Sequence, residues 1–301
     1  MSAWHNERPF WTVCALLFVG SVVVTTIWCT AMSDMGEMPM PGNWTMSMTW
    51  MPMAGQTWPG VAASFSGMWV VMMVAMMLPS LVPILRRYRQ ALGNADHLSP
   101  DLLIVVVGLG YFLVWAVLGM AVYVLGIGFA TLAIECPVVA KAVPVATGMV
   151  VVIAGALQFT AWKARLLACC RELPIHGCSL PTNAGNAWRY GLHRGIHCSC
   201  CCAGFTAVLV VNGVMDLGVM AAVTAAITVE RLAPAGKRIA RAIGGIVIAV
   251  GVGLILSGTG IAVPSRTTFS IEAASSTTRP MEVQRALGCL KAEEISERRR
   301  P

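Results

Sequence analysis

Long apolar runs separated by short polar segments organise the whole chain. Residues 10–31, 61–85, 102–129, 142–163, 203–229 and 242–264 each hold a run that is almost free of charge. A spanning helix needs roughly 20 apolar residues, and in lipid its backbone must satisfy its hydrogen bonds internally. The pattern therefore predicts an all-α, polytopic transmembrane helix bundle of about six spans. The first run is longer than the 7–15-residue core of a cleaved signal peptide, which predicts a retained helix. Three polar stretches stand apart from the spans: a Met-rich loop at 32–60, a Cys/His-rich loop at 164–202, and a charged tail at 265–301 that reads as flexible and cytoplasmic.

Composition supports this division. The chain of 301 residues is 57% hydrophobic and only 12% charged, with a mean hydropathy of +0.72. Soluble domains carry about 25% charged residues. The net charge of +7 sits in short blocks beside apolar runs. That placement suits membrane topology and anionic lipid headgroups, and excludes a nucleic-acid surface. Arg86, Arg87 and Arg89 follow the second run. Lys163, Arg165, Arg171, Arg189 and Arg194 follow the fourth, whereas 32–60 has no Lys or Arg. The positive-inside rule thus puts the Met-rich loop outside and the Cys-rich loop inside a bacterial inner membrane. The segment 230–241 conflicts, because Arg231, Lys237, Arg238 and Arg241 would lie outside in a six-span count.

Sulfur is the second anomaly. Met32, Met35, Met38, Met40, Met46, Met48, Met51 and Met53 place eight thioethers in 22 residues. Pro39, Pro41, Pro52, Gly36, Gly42 and Gly55 break that segment, so a regular helix is excluded there. A thioether is a soft donor at any pH and survives in an oxidising compartment, which suits Cu(I) capture. Asp34 and Glu37 could add oxygen ligands, while Trp44, Trp50 and Trp58 suit an interfacial, membrane-hugging loop. In the second run Met68, Met72 and Met76 fall on one helical stripe beside Met73 and Met77, until Pro79 interrupts the helix. The stripe reads either as packing or as a ladder that passes Cu(I) inward.

The thiols gather elsewhere. Cys169, Cys170, Cys178, Cys198, Cys200, Cys201 and Cys202 lie in 34 residues with His176, His193 and His197. Cys198 and Cys201 form a Cys-x-x-Cys pair, a spacing that aims two sulfurs at one ion. Cys200, Cys202, Cys170 and His197 are further candidate ligands. Reduced thiols in the cytosol favour a metal site over a disulfide staple. Zinc suits Cys and His as well, but rarely uses thioether, so the methionines tilt the reading to copper.

Polar residues inside the runs are functional candidates by default. Asp216 lies near the middle of the fifth run between Met215 and Met220, and could pair with Lys163 or serve a proton or metal path. Its bland reading is a helix–helix hydrogen bond. Glu230 is expected at the membrane interface.

Four groups of residues resemble a known family. They are Met68-Trp69-x-x-Met72-Met73-x-Ala75-Met76-Met77-x-Pro79; Gln158 and Lys163 with Cys170-Arg171-x-x-Pro174; Gly191 and Gly195 leading to Cys198-x-x-Cys201-Cys202; and Gly213-x-Met215 followed by Met220 and Glu230. Together they resemble the bacterial predicted metal-binding integral membrane proteins of unknown function. The resemblance implies membrane residence and metal binding but no reaction. Ala203, Gly204 and Phe205 replace the Trp and Leu-Met pair usual in that family, and Cys200 is an added thiol.

These features predict a copper-handling membrane protein. Its candidate metal ligands are Cys198, Cys201, Cys202, Cys200, His197, Cys170, Met68, Met72, Met73, Met76, Met77, Met215 and Asp216. Expected partners are membrane lipid, the metal ion, and a copper chaperone or membrane metalloenzyme. The rival readings are a metal-containing redox subunit and an assembly partner. No nucleophile–base pair, phosphate loop or HExxH pattern favours an enzyme.

Overall fold

The computed structural model describes residues 3–33, 37–42, 44–47, 50, 57–92, 99–171 and 183–259. Asp34, Met35, Met48, Met51, Met53, His176, Cys178 and the tail 265–301 lie outside the described residues. The described part is helical except for one hairpin. In chain order the elements are α1 (Ala3–Ser33), β1 (Glu37–Met40), β2 (Trp44–Ser47), α2 (Trp58–Leu92), α3 (Pro100–Glu135), α4 (Pro137–Leu157), α5 (Ala161–Arg171), α6 (Ala184–Asn212), α7 (Leu217–Leu232) and α8 (Gly236–Gly258). Six helices are long and apolar enough to cross a membrane: α1, α2, α3, α4, α6 and α8.

α2 is the central element. Two thirds of its most apolar window is buried inside the molecule. Trp69 is enclosed between α2 and α3 and donates from Nε1 to the Trp115 carbonyl at 2.9 Å. Pro79 and Pro83 lie inside α2 without ending it, contrary to the break expected at Pro79. Packed neighbours can hold a proline-containing helix together where solvent would unwind it.

Close helix contacts rest on glycine. A side chain at Gly110 would meet the Trp188 carbonyl at 2.8 Å, and one at Gly195 would meet the Tyr111 carbonyl at 2.9 Å. α3 and α6 therefore run alongside in the same direction. α4 and α8 run antiparallel, with Gly148 against Gly251 and Gly155 against Gly244. Small residues that let backbones approach are the usual basis of helix association where no solvent drives it.

The fifth run departs from the expected continuous helix over 203–229. The helix starts nineteen residues earlier, at Ala184, so with the end of α5 most of the supposed Cys/His loop is helical. It then ends at Gly213, whose φ of 115° suits a residue without a Cβ. Asp216 opens α7, accepting a hydrogen bond from Val219 N at 3.0 Å as an N-cap. Asp216 is exposed rather than buried mid-span.

This turn resolves the charge conflict. α7 leads back to the end of the bundle where α5 begins, because Glu230 reaches Lys163 there. α8 starts at that same end, with Gly244 against Gln158, and finishes beside the start of α4, with Gly258 against Pro144. The basic residues at 231–241 thus share an end with Lys163 and Arg165. The fifth apolar run makes an out-and-back excursion instead of one crossing.

Candidate metal centre

The centre is built on the inner face of α6. Cys198 and Cys202 are four residues apart, so both point to one side of the helix, while Cys201 is turned toward α5. There it packs with Leu167 and Cys170. Cys170, Cys198, Cys201 and Cys202 are all buried and all free of disulfides. The four thiols lie close enough to influence one another's charge.

Three other helices close the group. α2 brings Met77, whose Sδ lies 4.0 Å from Cys198 Sγ. α3 brings the buried Tyr111, whose hydroxyl lies 2.8 Å from the same sulfur. α7 brings Arg231. Its Nη2 donates to Cys198 Sγ at 3.0 Å and Cys202 Sγ at 3.2 Å, and reaches Cys170 Sγ at 3.9 Å. Its Nη1 lies 3.4 Å from Ser80 Oγ. Five helices thus converge on one buried cation surrounded by sulfur.

A second cation flanks the first. Lys163 Nζ donates to the Cys201 carbonyl at 2.6 Å and forms an ion pair with Glu230 Oε1 at 2.8 Å. Lys163 also lies over the Phe205 ring, 5.1 Å from its centroid. Glu230 is 1% exposed and Lys163 4%. Isolated charges at such depth are costly, so each needs its partner. Lys163 pairs with Glu230, not with Asp216 as the sequence suggested, and Glu230 is buried rather than interfacial.

The other predicted ligands are placed differently. Cys200 is half-buried and lies one position from the shared face. His197 offers its carbonyl to Cys170 Sγ at 3.8 Å, while its ring meets His193 edge-on at 4.4 Å. Met68, Met72, Met73 and Met76 are buried in the core with Met77. Met215 and Asp216 stand at the α6–α7 turn. Sequence reasoning gave Tyr111 and Ser80 no role and did not bring Arg231 to the thiols. The adjacent acid–base pair Glu230-Arg231 closing an apolar run was the available signal.

Among the described residues, no group of three or more His, Cys, Asp or Glu side chains is arranged to hold a metal ion as it stands. The Arg231 guanidinium occupies the space between the sulfurs.

A family model described as a copper chaperone (PpoB2) matches residues 66–254. The chain belongs to this copper chaperone family. The matched stretch carries the Met stripe of α2, the four clustered thiols, Tyr111, Lys163 and the Glu230-Arg231 pair. α1 and the methionine hairpin lie before it. Membership in the copper chaperone family supports the expectation of copper handling, and sharpens a resemblance that implied metal binding alone. No curated protein and no solved structure matches the chain.

Proposed function

We propose that this copper chaperone is an integral membrane protein that binds Cu(I) among Cys198, Cys201, Cys202 and Cys170, with Met77 as a thioether neighbour. The observation that carries this reading is the guanidinium held in a pocket of thiols: the site is already built around a monovalent cation. Copper entry would swing Arg231 aside toward Ser80 and leave the sulfurs to the ion. Thiolate and thioether are soft donors that favour Cu(I), and the thioether disfavours zinc.

Charge supports the same reading. Lys163 and Arg231 supply two positive charges and Glu230 one negative. A cuprous ion held by two thiolates carries one negative charge, which brings the group to neutrality. A divalent ion on the same two thiolates would leave a buried positive charge, at high cost.

Capture falls to the hairpin. Met38 pairs with Met46 and Met40 with Trp44, so three thioethers and an indole share one face. Trp44 Nε1 anchors that hairpin to the Ala140 carbonyl at 2.8 Å. The Met stripe of α2 lies between this end and Cys198. Thioethers hand Cu(I) on to thiolates downhill in affinity.

Anaerobic Cu(I) titration of purified full-length protein tests the proposal. The Cys198→Ser/Cys201→Ser double variant is expected to lose the copper that the thiol centre retains against a chromophoric Cu(I) chelator. Unchanged retention in that variant would overturn it.

A further inference from the structure

A second sulfur pair lies at the opposite end of the Met stripe. Cys29, near the end of α1, points its thiol at Met215 Sδ, 4.0 Å away. That separation equals the 4.0 Å between Cys198 and Met77. Two sulfurs bound to one ion at about 2.3 Å, the metal–thiolate distance of structural zinc sites, lie roughly 4 Å apart when the angle between them is near trigonal. Both pairs therefore already stand at the spacing that a shared soft ion requires.

Cys29 is buried in the core, and Met215 packs against it from a break between two helices. Met215 belongs to the α6–α7 turn, where the helix is broken at Gly213 and restarts at Asp216. Interrupted helices supply ion sites in membrane proteins, because their ends and turn residues are free to face a ligand. The thiol is 2% exposed, Met215 is half-buried and the Asp216 carboxylate is exposed. A cation arriving from water meets the carboxylate first, then the thioether, then the thiol. Trp28 packs toward Gly67, which puts Cys29 at the level of Met68, the first methionine of the stripe.

We infer that Cys29 and Met215 form an outer Cu(I) station, separate from the thiol centre and feeding the Met stripe. It rests on the copper-binding reading above, but its ligand from α1 lies outside the stretch shared with the chaperone family. Cu(I) exchanges between sulfur donors here without redox change. The Cu–S bond to Cys29 forms as the S–H bond breaks and its proton passes to solvent water at the exposed turn, and Asp216 is the nearby carboxylate that draws the cation in.

The test is the count of Cu(I) ions per chain resisting a chromophoric chelator in the detergent-purified, full-length protein. Wild type is expected to retain two. Cys29→Ser and Met215→Leu should each retain one, with Met215→Leu conserving volume so that monodisperse elution and an unchanged melting midpoint certify the fold. Cys198→Ser/Cys201→Ser should also retain one, held at the outer pair. If Cys29→Ser and Met215→Leu both keep the wild-type count while the double variant loses copper, the outer station is wrong and the thiol centre stands. If none of the three loses copper, both are wrong.

Discussion

The thiol centre and the methionine hairpin both present sulfur, yet they are built in opposite ways. The thiol centre draws side chains from α2, α3, α5, α6 and α7, all buried, and ties them with a lysine–glutamate pair and an arginine. The hairpin consists of two four-residue strands, with Met38 and Met40 half-buried and Met46 buried. Anionic sulfur in an apolar interior demands compensating cations held in fixed positions. Neutral thioethers demand none. The contrast teaches that preorganisation follows ligand charge: the thiolate site needs fixed counter-charges, whereas the thioether site can be assembled from a short ribbon. A fast-exchanging capture site and a retaining site would divide in this way.

The largest effect should come from removing the charge that lets the thiol centre exist. Glu230→Gln leaves Lys163 buried without its counter-charge. Breaking one partner of a buried pair costs about 3–5 kcal/mol. The melting midpoint of the purified protein should fall sharply, and copper retention with it. Lys163→Met/Glu230→Leu removes both charges and should recover much of the loss. A Glu230→Gln protein that melts like wild type would show that the two ends do not differ in their need for charge compensation.

Much of the contrast was legible in the residues. The uncharged runs announced the helices, and the Cys-x-x-Cys pair with Cys202 and Cys170 marked the thiols that come together. The methionine segment announced its break from helix through Pro39, Pro41 and Gly42, although the strand pairing of Met38 with Met46 did not follow from composition. What stayed hidden depends on three-dimensional direction. Periodicity shows which side of α6 carries Cys198 and Cys202, but not that α7 folds back to bring Arg231 onto them. The apolar run 203–229 reads as one span because Gly213 alone signals its break, and a single glycine inside a helix is usually tolerated. Once α7 reverses, the basic residues at 231–241 join the other basic segments. Tyr111 was illegible for the same reason, since only the glycine-mediated approach of α3 to α6 brings its hydroxyl to Cys198.

That approach gives an intermediate test. A Cβ at Gly191 would press into the Val107 backbone carbonyl, an atom that cannot rotate away. Gly191→Ala should cost about 1–3 kcal/mol through overpacking. It should also push α3 off α6, moving Tyr111 away from Cys198 while leaving every sulfur in place. Reduced copper retention at the thiol centre, together with a lowered melting midpoint and unaltered binding at the hairpin, would sharpen the comparison. Equal loss at both ends would mean that the two are one cooperative unit.

The smallest effect is expected at the hairpin. Met38→Leu and Met46→Leu keep the volume and apolar character of the paired residues and remove only the thioether donors. Volume-conserving hydrophobic exchanges usually cost under about 1.5 kcal/mol, and a two-stranded ribbon outside the thiol centre should show no more. Melting and chelator-resistant copper should therefore match wild type, because the thiol centre retains the ion whatever route it took. The effect belongs to loading: at limiting copper the double variant should fill its thiol centre severalfold more slowly, and excess copper should erase the difference. A hairpin that served only to cover the bundle would give equal loading rates at every copper concentration. The size of the kinetic defect thus measures how far capture and retention have been separated between an uncharged thioether face and a charge-balanced thiolate core.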